Sequence, residues 1–343
     1  MNKIILIIFL SISIFVYNYL GTSPIYNAVD NTIAIKLANE QIKPNQNIIE
    51  FESKNPFSFY DIFKRIDKIS TQNVYGILTK PKVGNNFPII IGVAGSKGWS
   101  KHHYAYMDRF LKNGFAIFTL HSFESRNIVS TVGEQISATI PMIIYDAFMA
   151  LKELDKDPEI NVEKAGILGW SLGGGVALYS AWYPIQNTIS PKYKFSAHLP
   201  FYPPCMAVPD NLNFNKAPIH ILAGEKDNWV PADACVELVN KMNYVGNDIE
   251  ITVFSGAHHS FDRDQELEII DDAYSFTDCR MTISDNGIVR SSILGFPLSS
   301  PLFQKIGLSI CAKRGTTFGG NKQARDKSKI IAIDFMNKYL MNN

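Results

Sequence analysis

Between Val74 and Phe254, short apolar runs alternate with longer segments whose apolar residues recur at helical spacing. Few folds accommodate that rhythm. The runs 74–79, 88–93, 115–120, 165–169, 195–199, 219–223 and 249–254 read as strands. The segments 104–113, 136–154, 172–182, 232–242 and 329–340 read as helices, the first ended by Gly114. Strands that take turns with helices pair in parallel, because a parallel neighbour is reached only through a crossover, and the helices then cover both faces of the sheet. The expected class is α/β with a mostly parallel central sheet. At 343 residues the chain is long enough to bury such a core as one domain, placed here at 48–343.

The rhythm breaks at 263–320, where Asp285-Asn286-Gly287 between β-branched flanks signals a hairpin and proline- and serine-rich sequence follows. This stretch reads as an insertion before the last helix. Residues 21–47 are polar, weakly patterned and contain Lys43-Pro44-Asn45, which suggests a tether. Ahead of them, Lys3 precedes an uncharged run from Ile4 to Leu20. A positive start followed by an apolar run is the pattern of an export signal or of an N-terminal membrane anchor. Pro24, directly after Gly21-Thr22-Ser23, disfavours cleavage there, so both forms stay open. Either way the positive-inside rule places the rest of the chain in the periplasm or outside the cell, with the membrane touched only through an uncleaved leader. A net charge of +1 without a basic stripe argues against nucleic acid as a partner.

Gly169-Trp170-Ser171-Leu172-Gly173 matches G-x-S-x-G. It sits between a predicted strand and a predicted helix, the context in which this motif turns a serine into an exposed nucleophile. The chain must turn sharply there, and glycines two positions either side of Ser171 avoid a collision. A serine hydroxyl needs a base, and the base needs a carboxylate to orient it. With this motif the order along the chain is serine, acid, histidine. After the strand ending at Ala223, Glu225 and Asp227 compete for the acid, with Asp227, at the loop apex before Pro231, preferred. After the strand ending at Phe254, His259 is the expected base and His258 the runner-up. His198 and His220 lie in strands and read as core residues, and His102 and His103 precede Ser171 in the chain. The developing oxyanion needs amide donors. One is Leu172, at the helix start; the other is Ser96, with Gly95 as its alternative, in the loop after the strand at 88–93.

These residues resemble the dienelactone hydrolase family of α/β-hydrolases. The resemblance rests on Gly169-Trp-Ser-Leu-Gly-Gly174, Gly224-Glu-Lys-Asp-Asn-Trp-Val-Pro231 and Gly256-Ala-His-His-Ser-Phe-Asp262, and it covers about residues 70–262 plus the last helix. It implies the α/β-hydrolase fold, hydrolysis of an ester, lactone or related acyl bond of a small molecule, and the catalytic histidine at His259. No cysteine pair shows C-x-x-C spacing, so no metal is expected, and no cofactor either. The namesake enzyme carries a cysteine nucleophile where Ser171 stands, so lactone specificity does not transfer. His121-Ser122-Phe123-Glu124-Ser125-Arg126 resembles the family's Asp-Ser-Phe-x-x-Arg with His121 in place of the acid. Arg126 then either anchors an acidic substrate group or forms a structural ion pair, and Trp170 is a second candidate contact. A prolyl-oligopeptidase-like peptidase shares the motif but usually brings a large extra domain, for which this chain has no room; a non-catalytic binding protein on the same scaffold is the third reading.

Four cysteines are too few for a disulfide scaffold. In an oxidising compartment Cys205 would pair with Cys235 across neighbouring positions of one sheet edge, and Cys279 with Cys311 across the insertion. Otherwise they are buried thiols.

Overall fold

The computed structural model describes residues 28–341, and the leader expected over residues 1–20 lies outside the described residues. The main sheet contains β1 (Gln46–Lys54), β2 (Thr71–Thr79), β3 (Phe87–Val93), β4 (Ala116–Leu120), β5 (Ile160–Trp170), β6 (Ala197–Phe201), β8 (Ile219–Gly224) and β9 (Ile249–Phe254); the short β7 (Ala207–Pro209) lies outside it. Its spatial order is β1-β2-β4-β3-β5-β6-β8-β9. The pairings of β1 with β2 and of β2 with β4 are antiparallel, and the strands from β4 to β9 run parallel. Every residue of β4, and all of β3 except Pro88, is buried. Strands covered on both faces read as continuous apolar runs, which is why they were legible.

From β3 the chain goes to β4 on one side, and it later adds β5 on the other. The loops leaving β3 and β5 therefore diverge and open a crevice at the carboxyl edge of the sheet. All four candidate chemical groups lie on loops at that edge, after β3, β5, β8 and β9.

The helices are α1 (Thr32–Gln41), α2 (Phe59–Lys64), α3 (Lys101–Lys112), α4 (Ile140–Leu154), α5 (Leu172–Tyr179), α6 (Tyr183–Ile189), α7 (Ala232–Tyr244), α8 (Pro301–Cys311) and α9 (Lys322–Met336). Several depart from the expected bounds, α3 by starting three residues before 104, and three others do so for local reasons that the structure shows. α4 starts at Ile140 rather than residue 136, because the Glu134 carboxylate accepts the amides of Ile136 and Ser137 in a turn. α5 stops at Tyr179, and a new helix begins with Pro184 in its first turn, the position where proline is tolerated. α9 begins seven residues before residue 329, at Lys322, with the Asn321 side chain accepting the Ala324 amide as a cap.

Of the residues 21–47 expected to be a tether, the described ones, 28–47, are not simply one. They include α1 and the start of β1. The approach is held by the fully buried Gln72, whose side-chain amide accepts from the Val29 amide (2.7 Å) and donates to the Val29 carbonyl (2.9 Å), as a strand neighbour would. No local pattern in 21–47 encodes a partner more than forty residues away.

The segment 263–320 folds back over the carboxyl edge. β10 (Glu268–Ser275) pairs with β13 (Lys313–Phe318). β11 (Met281–Ile283) and β12 (Val289–Ser291) form a hairpin through the turn containing Asp285-Asn286-Gly287, and β11 also pairs with β7. Two disulfides hold this end of the molecule, Cys205–Cys235 and Cys279–Cys311, with sequence separations of 30 and 32 residues. On the chain-entropy account each stabilises the fold by about 3–4 kcal/mol.

Candidate active site

Ser171 occupies the joint between β5 and α5 at φ 56° and ψ −113°. An L-residue adopts that conformation only under strain, and it persists because the surroundings dictate it. A Cβ on Gly169 would strike the backbone of Gly173, and one on Gly173 would strike the Val93 carbonyl. The two glycines therefore let strand, helix and the β3 loop approach closely enough to hold the turn.

The loops after β8 and β9 bring two further groups to Ser171. His259 Nε2 lies 3.0 Å from Ser171 Oγ, and His259 Nδ1 lies 2.7 Å from Asp227 Oδ2. The other Asp227 oxygen accepts the amides of Trp229 and Val230 at 2.9 Å each. With a carboxylate facing Nδ1, that nitrogen carries the proton and donates it, leaving the Nε2 lone pair for the serine hydroxyl. The His259 and Asp227 side chains are only 3% and 1% exposed, so little water competes for these bonds. The Tyr202 and Trp229 rings flank the imidazole, with centroids 4.7 and 4.8 Å away.

The competing residues are engaged elsewhere. Glu225 accepts from the Ser255 hydroxyl and the Gly256 amide, bracing the β9 loop. The His258 ring meets the Thr317 hydroxyl at 2.8 Å. His198 is fully buried and its Nδ1–H donates to the Ala177 carbonyl at 2.8 Å; burial pushes its pKa down to about 4. His220 pairs with Thr252 at 2.9 Å, and burial lowers it too. His102 and His103 pack together near Trp170, where burial disfavours the charged form of both.

The amide of Leu172 begins α5, so it has no acceptor within the helix. The loop after β3 crosses directly above Ser171: a Cβ on Gly95 would stand 3.0 Å from the Trp170 carbonyl and 3.4 Å from Ser171 Cβ. The peptide after Ser96 is held from behind, its carbonyl accepting from the Thr131 amide at 2.9 Å and the Ser130 hydroxyl at 3.0 Å.

Ser171 opens on two spaces. A cavity of about 180 Å³ is bordered by Ser96, Ser171 and Leu172 and walled mainly by apolar side chains, among them Phe59, Ile140, Met206 and Val230. Its far wall comes from the 263–320 segment, through Phe276, Met281, Val289, Leu298 and Leu308. On the other side a space of about 30 Å³ is bordered by Lys97, Tyr202, His259 and Arg263. Lys97 and Arg263 both rest on the Phe318 ring, at 4.8 and 4.9 Å. Burial, then the Arg263 charge, holds the Lys97 ammonium below its ordinary pKa.

Two candidate contacts are corrected. Arg126 is buried, and every guanidinium hydrogen is committed. Its terminal nitrogens meet both oxygens of Asp146 at 2.7 and 2.9 Å, and the rest go to Asn55, Ser122 and Lys54. It lines neither cavity. It is a structural ion pair tying the β4 loop to α4 and the end of β1. Trp170 is fully buried, its indole N–H donating to Asp262 at 3.0 Å and its ring stacked on His103, so it borders only the small space from beneath. Asp262 was not singled out from sequence. It is wholly buried, also accepts the Tyr202 hydroxyl at 2.8 Å, and thereby steadies the ring against His259. Its place three residues after the candidate histidine was the available signal.

A sequence profile of the dienelactone hydrolase family matches residues 74–279. A relative from Aquifex aeolicus (strain VF5) named "Putative carboxymethylenebutenolidase" is 30% identical over 110 residues, which is 32% of this chain and 44% of that protein. The chain thus matches less than half the length of that relative. A Bradyrhizobium sp protein named "Probable 2-oxo-3-(5-oxofuran-2-ylidene)propanoate lactonase" is 24% identical over 54% of this chain and 77% of its own. Among solved structures, Thermogutta terrifontis esterase 2 superposes with a TM-score of 0.46 at 18% identity, covering 65% of this chain and 87% of that one.

Proposed function

This chain belongs to the dienelactone hydrolase family, and from that membership we propose that it is a serine hydrolase of carboxylic esters or lactones, working through Ser171, His259 and Asp227 and an acyl-enzyme. The observation that carries the proposal is the unbroken hydrogen-bond chain from Ser171 Oγ to His259 to Asp227. His259 Nε2 accepts the serine proton as Oγ bonds to the acyl carbon. The carbonyl oxygen takes up the negative charge under the Leu172 and Ser96 amides. His259 returns the proton to the departing alkoxide, whose bond to the acyl carbon breaks. Water then repeats the attack on the acyl-enzyme, freeing the acid and restoring Ser171. The Asp227 carboxylate stabilises the imidazolium formed in each half. The apolar cavity beside Ser171 suits an acyl group with a hydrocarbon body, which desolvation on entry favours. A fluorophosphonate probe is expected to label the purified chain at Ser171 and nowhere else. Unlabelled protein would leave a binding scaffold as the better reading.

The site of action proposed is outside the cytoplasm. The leader pattern and the two disulfides, bonds that persist in oxidising compartments, support it. A reporter fused after Asn343 that matures only outside the cytoplasm is expected to give signal, whereas one active only in the cytoplasm should stay silent. The opposite pattern overturns the assignment.

A further inference from the structure

We propose that the outer face of α8, the helix whose inner face helps wall the Ser171 cavity, is a docking surface for an anionic lipid bilayer. The helix has apolar residues on its buried face and also on its exposed one. Phe303, Gly307 and Leu308 are buried, and Leu308 with Gln304 walls the cavity. The other face presents Leu302, Ile306 and Ile310, each 42–43% exposed and four residues apart, so they form one stripe on a helical surface. The loop before the helix packs on it through Phe296 against Phe303, with ring centroids 5.1 Å apart, and adds Ile293 and the 91%-exposed Leu294 to the same end of the molecule. One inward face would suffice for a helix whose role is to close a cavity; the second is unpaid for by any packing within the described residues.

The charge around this stripe identifies the occupant. From Asn286 to Gly315 the chain carries Arg290, Lys305, Lys313 and Arg314 and no acid. Lys313 pairs with Asp278, while among the described residues neither Arg290 nor Lys305 has an acidic partner. Arg290 donates to the Gly295 carbonyl of the loop before α8, and Lys305 stands on the helix itself, one residue before Ile306. An apolar stripe bordered by cations without acidic partners is the composition that settles at an anionic headgroup layer, its apolar side chains at the acyl boundary. A second copy of the chain is the poorer occupant, because a two-fold contact on this stripe would bring the Lys305 side chains of the two copies towards one another and supply no counter-charge. The cavity behind α8 is itself apolar, so docking here would bring lipid-borne esters close to the wall of the Ser171 cavity. That last step rests on the proposed hydrolase activity; the docking does not.

The test uses the full chain with Ile306→Trp, its emission read as the difference from the chain with Ile306 intact. The indole reports on the helix itself, so membrane contact made elsewhere in the chain leaves it unmoved. Phosphatidylglycerol vesicles are expected to shift the emission to the blue and phosphatidylcholine vesicles to do so much less. Adding Lys305→Glu should weaken the phosphatidylglycerol effect by at least about tenfold. The shift should persist in the Ser171→Ala background, so loss of the hydrolase reading would leave the docking standing. No shift with either lipid overturns the proposal, as does a shift that Lys305→Glu leaves unchanged. A shift that grows with protein concentration in the absence of vesicles also overturns it, in favour of self-association.

Discussion

Ser171→Ala is expected to lower ester turnover by at least about 10³-fold and to abolish fluorophosphonate labelling, with the folded state intact. The acyl-enzyme forms on Oγ, and no other hydroxyl stands 3.0 Å from His259 Nε2 in the described structure. What survives the substitution is the pair of amide donors and the cavity, which orient a substrate for direct attack by water at a far lower rate. Stability should change little. Alanine meets the same strained φ of 56° that serine does, and the change deletes one hydroxyl without opening a cavity. Turnover is measured on a chromogenic short-chain ester, and folding by cooperative thermal unfolding. Turnover close to that of the unsubstituted chain would sink the nucleophile assignment.

The adjacent histidines should behave as opposites. His259→Ala is expected to cost about as much as losing Ser171, because residues that act as one unit fail together. It also leaves the Asp227 carboxylate, 1% exposed, facing an empty space without its donor, so some loss of stability accompanies the loss of rate. His258→Ala removes only a bond to Thr317, whose hydroxyl keeps its own bond to Asn228 at 2.9 Å. That variant should retain most of its turnover. A comparison of kcat/KM for the two variants decides the matter, and the reverse ranking would move the base one residue earlier.

Some of this architecture was readable because its causes are local. The buried runs of β3, β4 and β5 are continuous, since a parallel strand covered on both faces has no polar side to show. The glycines around Ser171 mark a close approach that any side chain would block. Asp285-Asn286-Gly287 marks a turn through its own backbone preferences; Gly287 stands at φ 80°. The preference for Asp227 over Glu225 and His259 over His258 came from loop position and family pattern, and the structure joins the preferred residues to Ser171.

Other features have causes far away in the chain. Residues 28–47 look like a tether until the buried Gln72 amide takes the place of a strand partner. The position of Arg126 past the end of β4 left a substrate anchor and a structural ion pair both open, and Asp146, twenty residues on and in another element, takes its charge. Asp262 shows no sign in its sequence neighbours of the indole and phenol that reach it from β5 and the β6 loop. The sequence by itself determined the α/β class, the strand–serine–helix joint and the order of the three candidate groups, because periodicity, glycine sterics and chain order are properties of neighbours. Only the tertiary structure decided which acid meets the histidine, which arginine is spent on the scaffold and which insertion residues wall the cavity, because each depends on burial and on partners that meet only when the chain closes on itself.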